Sequence, residues 1–300
     1  MKRFFLALFM CVTALLSVNA AALNLFACEP EWGALAQELG GDHVSIYIAT
    51  NALQDPHQIQ AKPSLLAQAR RANLVVCTGA QLEIGWLPVV LRQSGNDAVQ
   101  PNKPGYFEAA DYVQRLGVPT VLDRAAGDIH QGGNPHIQTD PRNIARVATA
   151  LAQRLAEIDP ANTAYYQSRY RDFATRWDAA IQRWQKAAAP LRGVAVVVHH
   201  QAFLYLENWL GLKEVEQLEP KPGVQPTSAH LAGVLDQLQR QPAKMILRTP
   251  YNSERPSEWL SERAKIPAVL LPDTVGGSDQ AKDLFGLFDD TVQRLLSALK

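Results

Sequence analysis

Short apolar runs rich in β-branched residues alternate with longer segments of helical periodicity along most of the chain. This alternation predicts strand–helix–strand units and parallel sheets. In the first half, the predicted strands cover residues 23–28, 43–50, 73–78 and 118–122. In the second half, they cover residues 194–198, 214–218, 245–248 and 269–271. The pattern predicts an α/β protein with a mainly parallel sheet in each half.

A long helical segment separates the two sets of strands. It begins after Asp159 and carries Tyr166, Phe173, Trp177 and Trp184 at helical spacing. Its length would be roughly 40 Å at about 1.5 Å per residue, enough to run along a whole domain. We therefore expect two lobes, each with a mainly parallel sheet flanked by helices, joined by one long backbone helix. The predicted bounds are 21–158 for the N-terminal lobe, 159–190 for the linking helix and 191–300 for the C-terminal lobe.

The first twenty residues have the order of a secretory signal peptide. Lys2 and Arg3 precede an apolar run over residues 4–18, and small residues follow at 19–22. The run is shorter than the ~20 residues that a membrane-spanning helix needs. Cys11 lies inside the apolar run behind bulky Phe9 and Met10, so it does not fit a lipid-attachment site. We expect residues 1–20 to be removed and the mature chain to reside in a bacterial periplasm.

Composition excludes some partners and raises one question about cysteines. The chain has 29 basic and 29 acidic residues, so it offers no basic field for nucleic acid. Its 300 residues, 47% of them apolar, are enough to bury a large core. Cys28 and Cys77 remain after signal removal, at the ends of the first and third predicted strands. In an oxidising compartment they form either a disulfide or two buried thiols.

Three histidines follow predicted strands or their exit loops, where α/β proteins place ligand groups. Their contexts are Asp55-Pro56-His57, Asn134-Pro135-His136 and His200-Gln201-Ala202-Phe203. Imidazole is the commonest protein ligand for a transition metal. A site that uses all three must lie between the two halves of the chain, which indicates a metal-carrying protein with a cleft.

These motifs, in this order, resemble the zinc and manganese solute-binding proteins of bacterial ABC importers. Lys62-Pro63-Ser64, the segment from Leu82-Glu83 to Trp86, Asp140-Pro141, and Tyr205 with Gly211-Leu212 extend the resemblance over nearly the whole mature chain. It implies a metal between the lobes, held by His57, His136 and His200; the family pattern His-x-Ala-Phe selects His200 over His199. Asp273, in the pattern Asp-x-x-Gly, would be the fourth ligand, with water as the alternative. It also implies delivery to an ABC permease in the inner membrane. A periplasmic metallochaperone is a further candidate partner, which the resemblance does not itself imply.

Three imidazoles and at most one carboxylate favour Zn²⁺ as the transported ligand, since Mn²⁺ favours more oxygen donors, although Mn²⁺ stays an alternative. We expect a binding protein and no enzyme. One rival is a secreted zinc-dependent hydrolase, but the sequence lacks an HExxH pair. Another is a carrier of a chelated or organic ligand on the same two-lobe fold, which would need a wide apolar pocket. His130, in the glycine-rich stretch before His136, is a weaker candidate ligand.

Overall fold

The computed structural model describes residues 22–119 and 130–300, which form two four-stranded parallel sheets flanked by helices. This arrangement confirms the predicted fold class. The predicted signal peptide, residues 1–20, lies outside the described residues. Within the described ranges, no helix has both the length and the apolar character that a membrane span requires.

The first sheet contains the strands β1 (Leu23–Ala27), β2 (Val44–Ile48), β3 (Leu74–Cys77) and β4 (Tyr106–Glu108). Its helices are α1 (Pro30–Gly40), α2 (Pro63–Arg71) and α3 (Leu87–Ser94). The strand order is β2-β1-β3-β4, and every neighbouring pair is parallel. The carboxyl ends of the four strands therefore meet at one edge, where such sheets bind their ligands.

The second sheet repeats this topology. Its strands are β5 (Ala195–Val198), β6 (Lys213–Gln217), β7 (Met245–Arg248) and β8 (Ala268–Leu270). The accompanying helices are α6 (Leu204–Leu210), α7 (Ser228–Arg240), α8 (Glu254–Ala264) and α9 (Leu284–Ala298). The order β6-β5-β7-β8 is again fully parallel. Each lobe thus has its own ligand-binding edge.

Two helices lie between the sheets in the chain, α4 (Pro141–Ile158) and α5 (Thr163–Ala187). The long helix α5 corresponds to the predicted linking helix, with one 3-10 turn on either side of it. Trp177 and Trp184 are both buried, as their spacing predicts. The indole N–H of Trp177 donates to the Pro141 carbonyl, and that of Trp184 donates to Asp289 on α9. The helix is therefore anchored along its length, while the exact lobe boundaries stay a prediction.

Both faces of each sheet are buried, which explains the nearly continuous apolar strands. Along β3, Leu74 and Val76 belong to one large core that also contains Trp177 and the β7 residue Leu247. The alternate residue Val75 belongs to a smaller core on the opposite face. The second sheet has a matching smaller core of its own. Because the large core includes residues of both sheets and of α5, the two lobes are packed around a shared interior.

Cys28 and Cys77 form a disulfide in the structure, with their Cα atoms 4.8 Å apart. They follow or end the neighbouring strands β1 and β3, so the parallel register places the two side chains together. Of the two alternatives that the sequence leaves open, the disulfide is the one confirmed.

The fourth strand of the first sheet is not the segment that the sequence predicts. Residues 118–119 of the predicted strand 118–122 are not in a strand, and residues 120–122 lie outside the described ranges. The strand beside β3 is β4, in which Phe107 pairs with Val76. Three residues are too few to show a period-2 pattern, and pairing with β3 determines this strand.

Candidate metal centre

The structure brings His57, His136 and His200 together. His57 lies in the loop after β2, His136 lies shortly before α4, and His200 lies just after β5. One ring nitrogen from each lies within 4.8 Å of the others. Three segments that are distant in the sequence thus supply one cluster of imidazoles at the carboxyl ends of the two sheets.

At His57 and His200, Nε2 is the atom available to an ion, because Nδ1 lies against a carboxylate. Nε2 of His136 and Nε2 of His200 are 3.3 Å apart. At Zn–N distances of about 2.0–2.1 Å, two ligands of a tetrahedral ion lie about 3.3 Å apart. Nε2 of His57 is buried and has no hydrogen-bond partner among the described residues. The three-nitrogen donor set therefore suits one divalent transition-metal ion.

Two carboxylates orient two of the three histidines, His57 and His200. Asp55 Oδ1 lies 2.7 Å from His57 Nδ1, and Glu219 Oε2 lies 2.8 Å from His200 Nδ1. When Nδ1 donates its proton to a carboxylate, Nε2 keeps its lone pair for a metal, and the ring direction is fixed. Burial opposes ionisation of Asp55, but its hydrogen bonds with His57 prevail and hold the pKa of Asp55 below its usual value.

The loops that carry the histidines are themselves held in place. The indole N–H of Trp86 donates to the Pro56 carbonyl, 3.0 Å away. Asn134 Nδ2 donates to the Gln201 carbonyl, 2.6 Å away, and so joins the two motifs that contain His136 and His200. Tyr205 Oη donates to the Asn134 carbonyl, 2.7 Å away. These three motif residues, Trp86, Asn134 and Tyr205, therefore hold the backbone of the loops that carry the histidines.

Burial favours a neutral imidazole at His136. His136 is 1% exposed, while the side chains of His57 and His200 are each 10% exposed. Burial, together with nearby His57 and His200, holds the pKa of His136 well below its ordinary value. A neutral imidazole is the form that binds a metal, so no proton has to leave His136 near neutral pH.

Asp273 is buried but is not part of the three-histidine cluster. It lies after β8 beside a cavity of about 20 Å³ that Glu31 and Gln138 also line. Its Oδ1 atom has no hydrogen-bond partner within the described part of the chain. Burial and the carboxylates of Glu31 and Asp55 raise the pKa of Asp273 to about 8. Its role as fourth ligand stays a prediction, and ligation would require it to lose its proton.

The remaining histidines occupy different surroundings. The ring of His130 lies 5.2 Å from that of His57, centroid to centroid, and His130 lines a cavity of about 280 Å³ with His136 and His200. Burial first, then His57 and His200, lower the pKa of His130 to about 4. His199 is buried beside the site, where its backbone N–H donates to the Leu247 carbonyl.

One residue of the site was missed in the sequence. Glu219 is a single acidic residue shortly after β6, in no motif, and only the fold places it behind His200. A second buried group, Cys28, Cys77 and Glu83, also has metal-ligating atoms close together, but its two sulfurs form the disulfide. Among the described residues, the histidine cluster is thus the group of this kind with free donor atoms.

Comparison with known proteins gives one family match. The family model described as "ZnuA: Zinc-uptake complex component A periplasmic" matches residues 26–298. Metal ABC transporter substrate-binding lipoprotein SloC of Streptococcus mutans is 20% identical over 296 residues, which cover 91% of this chain and 94% of that protein. Manganese ABC transporter substrate-binding lipoprotein PsaA of Streptococcus pneumoniae is 20% identical over 258 residues, covering 84% of this chain and 80% of PsaA.

A relative named for zinc uptake aligns with a smaller part of this chain than the two lipoproteins do. High-affinity zinc uptake system protein ZnuA of Brucella abortus is 24% identical over 165 residues, which cover 55% of this chain and 48% of that protein. A crystal structure of ZnuA superposes with a TM-score of 0.77 at 23% identity, and the superposition covers 93% of this chain and 100% of the ZnuA chain. At this identity the match establishes the shared fold.

Proposed function

Because this chain belongs to the family of periplasmic zinc-uptake complex component A proteins, we propose that it binds a divalent transition metal in the periplasm and delivers it to an ABC permease. The observation that carries the proposal is the convergence of three imidazole nitrogens from both lobes, two of them oriented by carboxylates. The predicted signal peptide would provide the export.

We propose Zn²⁺ as the metal, with His57, His136 and His200 as ligands and Asp273 or water in the fourth position. The relatives include proteins named for manganese as well as for zinc, so the name of a relative does not decide the ion. The donor set favours zinc, because three nitrogens and at most one carboxylate suit a tetrahedral ion. Mn²⁺ favours more oxygen donors.

The partner is a permease in the inner membrane, and we propose that the cleft face of both lobes binds it. The exposed large apolar side chains in the described ranges occur at the end of a strand or in a segment that follows one in the sequence. They are Ile48, Leu53, Ile84, Tyr112, Val118 and Val224. Apolar side chains there would contact the permease and report whether metal is bound. The metallochaperone suggested by the sequence has no support from the relatives.

A binding role agrees with the relatives, which are named substrate-binding proteins of ABC transporters. The hydrolase and the organic-ligand carrier are not favoured, because the cluster of imidazoles is the group that the structure assembles in the cleft.

Alanine replacement of His57, His136 or His200, one at a time, should each reduce zinc affinity strongly, measured by competition with a chelator. Zinc should raise the melting temperature of the parent, since a ligand at a thousandfold excess over Kd stabilises the folded state by about 4 kcal/mol. His230→Ala is the matched control, because His230 contacts the Gln217 carbonyl outside the cluster.

A growth assay tests delivery. Deletion of the gene should impair growth under zinc limitation, and added zinc or the parent gene should restore it. The His57→Ala, His136→Ala double variant should not. If that variant restores growth fully, or if all three single variants bind zinc as tightly as the parent, the proposal fails.

A further inference from the structure

The loop after β8 makes two contacts with the other side of the cleft. Thr274 Oγ1 donates to Glu31 Oε2, 2.5 Å away, across 243 positions of sequence. Gln138 Nε2 donates to the Asp273 carbonyl, 3.2 Å away. Glu31 lies in the first turn of α1 in the first lobe, whereas Asp273 and Thr274 belong to the second. Hydrogen bonds therefore connect the loop that contains Asp273, the predicted fourth ligand, to the opposite side of the cleft.

Both residues of the Thr274–Glu31 hydrogen bond are buried. Glu31 is 1% exposed and Thr274 is 6% exposed. The cavity beside them, about 20 Å³, has room for about one water molecule. A hydrogen bond to a buried carboxylate contributes more than one at the surface, because breaking it leaves a buried oxygen without a donor unless water enters.

We propose that Glu31 is a positioning residue for metal retention: by accepting the hydrogen bond from Thr274 it holds the Asp273 loop against the first lobe, and release of the ion requires this bond to break. This inference rests on the proposed metal-binding function. It assigns no contact between Glu31 and the ion. Glu31 acts through Thr274 on the neighbouring residue Asp273.

The geometry of α1 suits such a role. Pro30 occupies the first helical position, so Glu31 lies at the helix N-terminus, where the helix dipole favours a negative side chain. The same helix packs its apolar face, including Trp32 and Leu35, into the large core. The acceptor is therefore fixed to a rigid element, whereas the donor lies on a loop that follows a short strand. Movement of the loop, more than of the helix, would break the contact.

Thr274→Val removes the donor and keeps the shape of the side chain. Loss of the donor leaves a buried oxygen without a hydrogen bond, which should raise the zinc dissociation rate constant by about tenfold to a hundredfold. The association rate constant should stay within about twofold, because the three histidines that capture the ion are unchanged. Stopped-flow release of zinc into an excess of a coloured chelator measures the first constant, and rapid mixing with zinc measures the second.

Four further variants, one of them a double variant, separate retention from a general loss of stability. Thr274→Ser keeps the hydroxyl and should restore slow release. Thr291→Val is the matched control, since Thr291 is a buried threonine whose Oγ1 donates within its own helix, to the Leu287 carbonyl. Glu31→Ala should speed release, and combining it with Thr274→Val should add little, because each change removes the same bond.

Fast release by Thr274→Val with rescue by serine would support the inference. A release rate within twofold of the parent would overturn it, including the case in which Thr274→Val only lowers the melting temperature of the metal-free protein. Equal acceleration by Thr291→Val would also overturn it. A parent protein that binds no zinc would instead refute the proposed function, so the two failures are distinguishable.

Discussion

Replacement of Glu219 by glutamine tests whether the buried carboxylate behind His200 contributes to metal affinity. Glu219 Oε2 lies 2.8 Å from His200 Nδ1 and also accepts from the Gly223 N–H, 2.9 Å away. Glutamine keeps the size of the side chain but removes its charge. If the amide group donates to Nδ1, the imidazole proton moves to Nε2 and blocks the nitrogen that should bind the ion.

The expected magnitude follows from burial. A carboxylate that accepts a hydrogen bond from a metal-binding histidine typically contributes about 10–100-fold in metal affinity, or about 1.4–2.8 kcal/mol. The Glu219 side chain is 6% exposed, so water screens its charge little, and we expect a loss near the upper end. The Asp55 side chain is 35% exposed. Asp55→Asn should therefore cost less, about tenfold or below.

Competition with a zinc chelator at pH 7.5 measures both affinities. Glu254→Gln is the control in the same lobe, because Glu254 pairs with Arg248 and its side chain is 62% exposed. Its zinc affinity should equal that of the parent. Melting of each metal-free variant shows whether the fold is intact.

The reasoning fails if Glu219→Gln binds zinc like the parent. It also fails if Asp55→Asn costs more than Glu219→Gln, because burial would then not determine how much each carboxylate contributes.

Two further predictions concern stability. The metal-free protein should become less stable from pH 7 to pH 8.5. Burial raises the pKa of Glu31 to about 7 and that of Asp273 to about 8, so the folded state holds protons that the unfolded state has lost. The stabilising effect of these protons disappears as the pH rises through the two pKa values. Urea unfolding at the two pH values measures this, and equal or rising stability would contradict it. The double variant Cys28→Ala, Cys77→Ala should lose about 4 kcal/mol of unfolding free energy for a crosslink spanning 49 residues, with unchanged zinc affinity. A loss below about 1 kcal/mol in urea unfolding, or weaker zinc binding, would count against a purely stabilising disulfide.

Several features of this protein follow from local sequence. Strands buried on both faces need apolar residues at successive positions, so Leu74, Val75 and Val76 predict a sheet covered by helices. Trp177 and Trp184 predict a buried helical face, because seven residues make nearly two turns. The histidine motifs can also be found in the sequence, because two of the three each place a candidate ligand beside a residue that holds its own loop.

Other features depend on which segments pack together, and no local pattern contains that information. Strand β4 exists because β3 offers an open edge to three residues, and its own composition does not determine it. Glu219 meets His200 because β5 and β6 are neighbours in the sheet, although 19 positions separate the two residues. The bond between Glu31 and Thr274 requires both lobes to be in place. Hydrophobic periodicity is a property of a short segment, whereas a hydrogen bond between distant side chains exists only once the packed core has determined where each backbone lies.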